Sequence, residues 1–156
     1  SKHITYAEAI HSNTAKRKGV DNTPSETQVE AMKTLAKNIF EPLRKYVGGP
    51  IKVNSFFRSV PLNEAIGGVS SSQHCKGQAM DIDDVYGRKT NADMYHWIQA
   101  NLDYDQMIWE FGTKNNPDWV HVSYVDKEKN RKAISIFSLF IGANIANSCK
   151  LFCNML

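Results

Sequence analysis

Apolar residues recur at helical spacing over one long stretch of the chain. Val29, Met32, Leu35, Ala36, Ile39, Phe40 and Leu43 stand three or four apart, which puts them on one face of a predicted helix. The start signals are Thr23 as N-cap, Pro24 at the first helical position and Glu26 at the third. Pro42 predicts a kink, and Gly48-Gly49-Pro50 predicts the stop. Upstream, ITYAEAIHSNTAKRKG carries Thr5 three residues before Glu8 and ends at Gly19, the pattern of a short capped helix. TNADMYHWIQAN, residues 90–101, predicts another helix.

Elsewhere the pattern shifts toward strands. IKVNSFFRS (51–59) is rich in β-branched and aromatic residues between Pro50 and Pro61 and predicts a strand. LNEAIGG reads as a helical turn closed by glycines, GVSSSQHCKG as a polar loop, and QAMDIDDV as a second strand. DQMIWEFG and DWVHVSYV are two more, joined by TKNNP as a hairpin. With no internal repeat or linker-like tract, one domain is expected. Its class is α+β, with helices packed on one face of a small, mainly antiparallel sheet. From Ala133 onward, Ile134, Ile136, Phe137, Leu139, Phe140 and Ile141 are too dense for one clean helical face. Residues 131–156 are therefore set apart as an apolar tail following a domain at 1–130. The tail is expected to dock on the sheet or on a second copy.

Composition narrows the function. Hydrophobic residues make up 42% and charged residues 22% of the 156, the balance of a globular protein. Nineteen basic against 16 acidic residues give +3 without a dense basic block, so a nucleic-acid partner is not expected. A mildly basic surface still suits an anionic polymer such as a cell wall. Cys75, Cys149 and Cys153 follow no disulfide spacing, and read as free thiols rather than as a metal clip. The N-terminus shows no apolar core of a signal peptide, so synthesis in the cytoplasm is expected. The apolar run 133–146 is too short for a membrane span.

The segment SSQHCKGQAMDID carries the chemistry. His74 ends a polar loop, and Asp81 lies on the strand after it with Gly77 between them. Strand alternation puts Asp81 and Asp83 opposite Met80 and Ile82, and puts His121 and Ser123 opposite Val120 and Val122. Two neighbouring strands would then present Asp81 and His121 to one cleft. Zinc takes nitrogen and carboxylate ligands and leaves one position open in catalytic sites. The same residues would equally suit a solvated polar turn. Asp83 and Asp84 are either partners that orient the histidines or strand-end carboxylates in water. His3, His11 and His96 read as surface or core-edge residues.

Several spaced elements together resemble a known family. Arg58 after a strand, Ser72-Gln73-His74, Gly77, Ala79-Met80-Asp81 and Trp119-Val120-His121 occur in the order seen in the zinc D-Ala-D-Ala carboxypeptidase family. That family includes L-Ala-D-Glu endopeptidases of phage endolysins and D,D-dipeptidases, and the likeness covers about residues 5–125. The resemblance implies a Zn²⁺ site at His74, Asp81 and His121 and a substrate-binding arginine at Arg58. It also matches Ser72 to a small polar residue near the substrate. The family commonly carries a glutamate three residues before the last histidine ligand; here Asp118 stands there and is the expected general base, with Glu110 as the fallback. A covalent thiol mechanism through Cys75 is not expected.

The implied function is zinc-dependent hydrolysis of peptidoglycan stem peptides by a phage-lysin-like carboxypeptidase or endopeptidase. Such an enzyme would act at the cell wall after release, as a monomer unless the tail makes a dimer. The alternative is a zinc-containing binding module of the same fold, as the Hedgehog signalling domain resembles this fold and binds partners. A third reading, a D,D-dipeptidase, differs in how closed the cleft is.

Overall fold

The computed structural model describes residues 1–137, so the tail beyond Phe137, with Cys149 and Cys153, lies outside the described residues. Five strands form one sheet in the order β1-β2-β4-β3-β5. They are β1 (Lys52–Ser55), β2 (Ala79–Asp83), β3 (Gln106–Glu110), β4 (Trp119–Ser123) and β5 (Ala133–Phe137). The first four pair antiparallel, and β5 runs parallel to β3 at the far edge. The expected α+β class with a mainly antiparallel sheet is what the chain forms. The first residues assigned to the tail thus add a strand to the sheet.

Among the described residues six α-helices accompany it: α1 (Tyr6–Ala9), α2 (Asn13–Lys18), α3 (Glu26–Leu35), α4 (Glu41–Val47), α5 (Val60–Ala65) and α6 (Asn91–Asn101). Met80, Ile82, Met107, Val120 and Val122 of the sheet are fully buried. They share one core with Leu35, Ile39, Phe40 and Leu43 of the long helix and with Met94 and Ile98 of α6. Alternation then leaves Asp81 and His121 on the opposite surface of the sheet, away from that core.

Local departures from the expected pattern each have a cause. The long helix starts at Ser25, not Thr23: Ser25 Oγ accepts from Gln28 N while Gln28 Oε1 accepts from Ser25 N, a complete capping box. Thr23 is held instead by Asp21, whose Oδ1 accepts from both its backbone N and its hydroxyl. Ahead of Pro42, Ala36–Phe40 widen into one π-helical turn, and Glu41 N donates to Ala36 O. Proline cannot donate to the carbonyl four residues back and crowds it, and the wider turn relieves that crowding. The first predicted helix divides in two, because Ser12 caps a second start by accepting from Ala15 N at 3.2 Å. In the predicted strand 51–59, only Lys52–Ser55 pair, with a bulge between Val53 and Ser55. Phe57 then turns to donate to Ala9 O, and Ser59 caps α5.

Candidate metal centre

The ladder between β2 and β4 pairs Asp81 directly with His121. Cross-strand partners point to the same face, so this register alone brings a carboxylate and an imidazole together. His74 arrives differently. It sits in a 3-10 turn, Gln73–Lys76, which ends at Gly77 with φ of 70°. That conformation suits glycine and returns the chain into β2. A Cβ on Gly77 would stand 2.5 Å from Gln28 O, so the turn lies directly against α3. Gln28 Nε2 also donates to Cys75 O at 2.8 Å, so the residue that caps the helix holds the turn as well.

Three side-chain atoms converge. His121 Nδ1 lies 2.9 Å from Asp81 Oδ1, and His74 Nε2 lies 3.2 Å from Asp81 Oδ1 and 3.3 Å from His121 Nδ1. All three residues are buried, and they form the metal-competent cluster of histidine and carboxylate ligands among the described residues. Ligand atoms about 2.0–2.2 Å from a tetrahedral zinc stand roughly 3.3–3.6 Å apart, so the triangle fits, with one edge a few tenths short.

Proton placement strengthens that fit. His74 Nδ1 lies 2.7 Å from Phe56 O, a carbonyl that can only accept, so Nδ1 carries the ring proton. Burial pushes the His74 ring below its ordinary pKa despite the opposing Asp81 charge, and the neutral ring then turns a lone pair at Nε2 toward the cluster. Burial opposes ionisation of Asp81, but the two imidazoles outweigh it and hold the carboxyl below its ordinary range. Lone pairs from a neutral imidazole and a carboxylate meeting in a buried site are the donor set of a cation.

Arg58 closes the other side of Asp81. Its Nη2 donates to Asp81 Oδ2 at 2.6 Å and its Nε to Ser55 Oγ at 2.8 Å. One carboxylate oxygen therefore faces the histidines and the other faces the guanidinium. A cleft of about 330 Å³ opens beside Arg58, lined by His11, Ser12, Asn54, Ser55, Phe57 and Leu62 among others.

The remaining sequence candidates sit at varied distance from this centre. Ser72 heads the His74 turn without a side-chain cap bond, its carbonyl accepting from Cys75 N. Glu110 pairs with Trp119 and lies two positions from Ile108, the partner of His121, so it shares the surface of the sheet that carries His121 and Asp81. Burial pushes its carboxyl up, against the pull of His121 and Arg58. Asp118 is exposed just before β4; its N donates to Glu110 O, and its O accepts from Asn91 Nδ2 at 2.9 Å. Asp83 Oδ1 accepts from Asn91, and Asp84 from the backbone of Arg88, so the hydrogen bonds of both lead away from the histidines. His3 pairs with Glu41 at the surface. Cys75 is buried with its thiol pKa pushed up by burial, the opposite of an activated nucleophile.

The family model described as Peptidase M15 matches residues 2–123. The chain belongs to the M15 peptidase family. This is the zinc D-Ala-D-Ala carboxypeptidase-type family that the motifs resemble, and membership makes the chain a metallopeptidase by family. No curated protein matches it. Among the described residues no helix is long and apolar enough to cross a membrane.

Sequence reasoning missed the supports around these three residues. Asn91 is 4% exposed and donates to Asp83 Oδ1 and to the carbonyls of Pro117 and Asp118, clamping the entrance to β4. Gln28 on α3 reaches the His74 turn, and Gln73 within the turn reaches out to Asp105 ahead of β3. Gln73 stands at the unspecified position of the Ser72-Gln73-His74 motif, and Asn91, Gln28 and Asp105 follow no period or motif that would have singled them out.

Proposed function

We propose that this M15 peptidase is a zinc enzyme that hydrolyses peptide bonds in peptidoglycan stem peptides. The observation that carries the proposal is the buried triangle of His74 Nε2, Asp81 Oδ1 and His121 Nδ1. These three atoms would hold Zn²⁺. When bound there, zinc supplies Lewis acidity and a water nucleophile at neutral pH.

The chain's own residues do the rest. Asp118, three residues ahead of His121 on a backbone pinned by Glu110 and Asn91, takes the proton of the attacking water and returns it to the leaving amine. Glu110 is the second candidate for this task, from the same surface of the sheet. Arg58, fixed at Nε and Nη2, holds a substrate carboxylate or polarised carbonyl in a pre-set orientation, which a flexible lysine would not do. Ser72, at the head of the ligand turn, contacts the peptide. The cleft beside Arg58 receives one side of the substrate, and the mild positive charge favours an anionic wall polymer. The enzyme works as a monomer at the cell wall, as a phage-type lysin does.

Digestion of purified peptidoglycan, with mass spectrometry of the fragments, tests this reading. New peptide termini are expected from wild type, and none from His121→Ala. Asp118→Asn is expected to lower kcat by about 10²-fold or more while retaining zinc, and Glu110→Gln to lower it only several-fold. The reverse order would assign the base to Glu110. Zinc bound at one per chain with no wall peptide cleaved would leave the non-catalytic binding module as the function.

A further inference from the structure

We propose that Asp105 is a positioning residue for the metal centre, tying Arg131 at the head of β5 to the turn that presents His74. Asp105 is 1% exposed. Its Oδ1 accepts from Arg131 N at 3.1 Å and Arg131 Nε at 2.9 Å, and its Oδ2 accepts from Arg131 Nη2 at 2.7 Å. The fourth donor is Gln73 Nε2, at 2.9 Å from Oδ2. Gln73 is the first residue of the 3-10 turn and the immediate neighbour of His74.

A buried carboxylate is costly unless its lone pairs are met, and here four donors meet them. Three come from Arg131 and would suffice for a purely local ion pair. The bond to Gln73 is the one that reaches the metal centre. The main chain of Asp105 joins two further parts: its N donates to Ser123 O at 2.8 Å, and its O accepts from Ala133 N at 2.9 Å. Ser123 lies two residues beyond His121 on β4. One residue therefore links the strand of one ligand, the turn of another and the start of the edge strand.

The turn needs such a link because no sheet ladder fixes it. Besides Gln73, its hydrogen-bonded anchors to other segments among the described residues are His74 Nδ1 on Phe56 O at 2.7 Å, Gln28 Nε2 on Cys75 O, and Arg58 N on His74 O, the last long at 3.3 Å. A metal site is held to within about 0.5 Å by such surrounding contacts. Loss of the Gln73 tether frees the turn to shift, and His74 Nε2 moves with it.

The inference rests on the metal-binding reading above, and the experiment separates the two. Zinc dissociation constants are measured by chelator competition, and visible spectra are recorded on cobalt-loaded protein. The panel is wild type, Gln73→Ala, Arg131→Ala and Asn130→Ala. Asn130 is the control, because it bonds Asp103 and Val125 from the same β4–β5 connection as Arg131 and makes no side-chain bond to Gln73 or Asp105. Gln73→Ala leaves the Asp105–Arg131 pair intact, so it reads the tether without disturbing the β4–β5 connection. Gln73→Ala and Arg131→Ala are expected to weaken zinc binding about tenfold or more and to alter the cobalt band. Asn130→Ala is expected to lower Tm alone. Zinc affinities within twofold of wild type, with an unchanged cobalt spectrum, would overturn the proposal while the metal centre stands. A wild-type chain that binds no zinc would remove both.

Discussion

Replacing Gly77 by alanine isolates how tightly the His74 turn is pressed on α3. Two costs apply there. A side chain at φ of 70° is strained by about 1–2 kcal/mol, reduced by roughly 0.4–1 kcal/mol because alanine also restricts the unfolded chain. The new Cβ would then meet Gln28 O at 2.5 Å and Met32 Cγ at 3.0 Å. The first of these is backbone inside a helix and cannot swing aside, so relief requires the turn and α3 to separate by several tenths of an ångström. Overpacking of this kind costs about 1–3 kcal/mol. Gly19→Ala is the matched control: its φ is 63°, yet nothing lies within 4 Å of the added carbon.

Both variants incur the strain, and only Gly77→Ala adds the clash with α3. Thermal unfolding by circular dichroism should therefore place Gly77→Ala about 2–12 °C below Gly19→Ala, at about 2–4 °C per kcal/mol for a chain of this size. Added zinc should raise the Tm of Gly19→Ala as much as that of wild type, and that of Gly77→Ala by less. Equal Tm values for the two variants would refute the reasoning, because the turn would then be shown to move off α3 without cost.

Two further perturbations probe the centre and its support. Arg58→Lys keeps the charge but cannot hold Asp81 Oδ2 and Ser55 Oγ together, so kcat/KM on wall peptides should fall about 10²-fold with the far-ultraviolet spectrum unchanged; near-full activity would show that charge alone suffices. At Asp105, burial raises the carboxyl pKa, and the bonds from Arg131 and Gln73 outweigh it, leaving it below the ordinary range. The unfolded chain then takes up the proton first as pH falls, so the carboxylate's contribution is complete at neutral pH and is lost below about pH 4. Urea unfolding should show wild type more stable than Asp105→Asn at pH 7, with the gap closing toward pH 2.5; a gap independent of pH would contradict the assignment.

What the sequence disclosed and what it hid divide by the range of the interactions involved. The apolar face of the long helix and the alternation of Met80 with Asp81 are local periods, and both elements formed where those periods lie. The capping residues were partly misplaced because Thr23 and Ser25 offer the same chemistry, and the choice fell to Asp21, which captured Thr23. The parallel pairing of β5 with β3 was hidden for a different reason. It joins Gln106 to Ala133 across an intervening hairpin, and no short pattern encodes such a pair.

The site divides the same way. Asp81 and His121 are fixed by ladder register, so alternation along two strands was enough to bring them together on paper. His74 has no such ladder. Its place depends on Phe56 O, which accepts from its Nδ1, on Gln28, on Arg58 N and on Gln73, whose partner Asp105 lies 32 residues away. A motif could name that histidine as a ligand without showing what holds it. Because Asp81 and His121 share the rigidity of the sheet and His74 is held by these separate contacts, changes in its supports should alter metal affinity before they alter the fold.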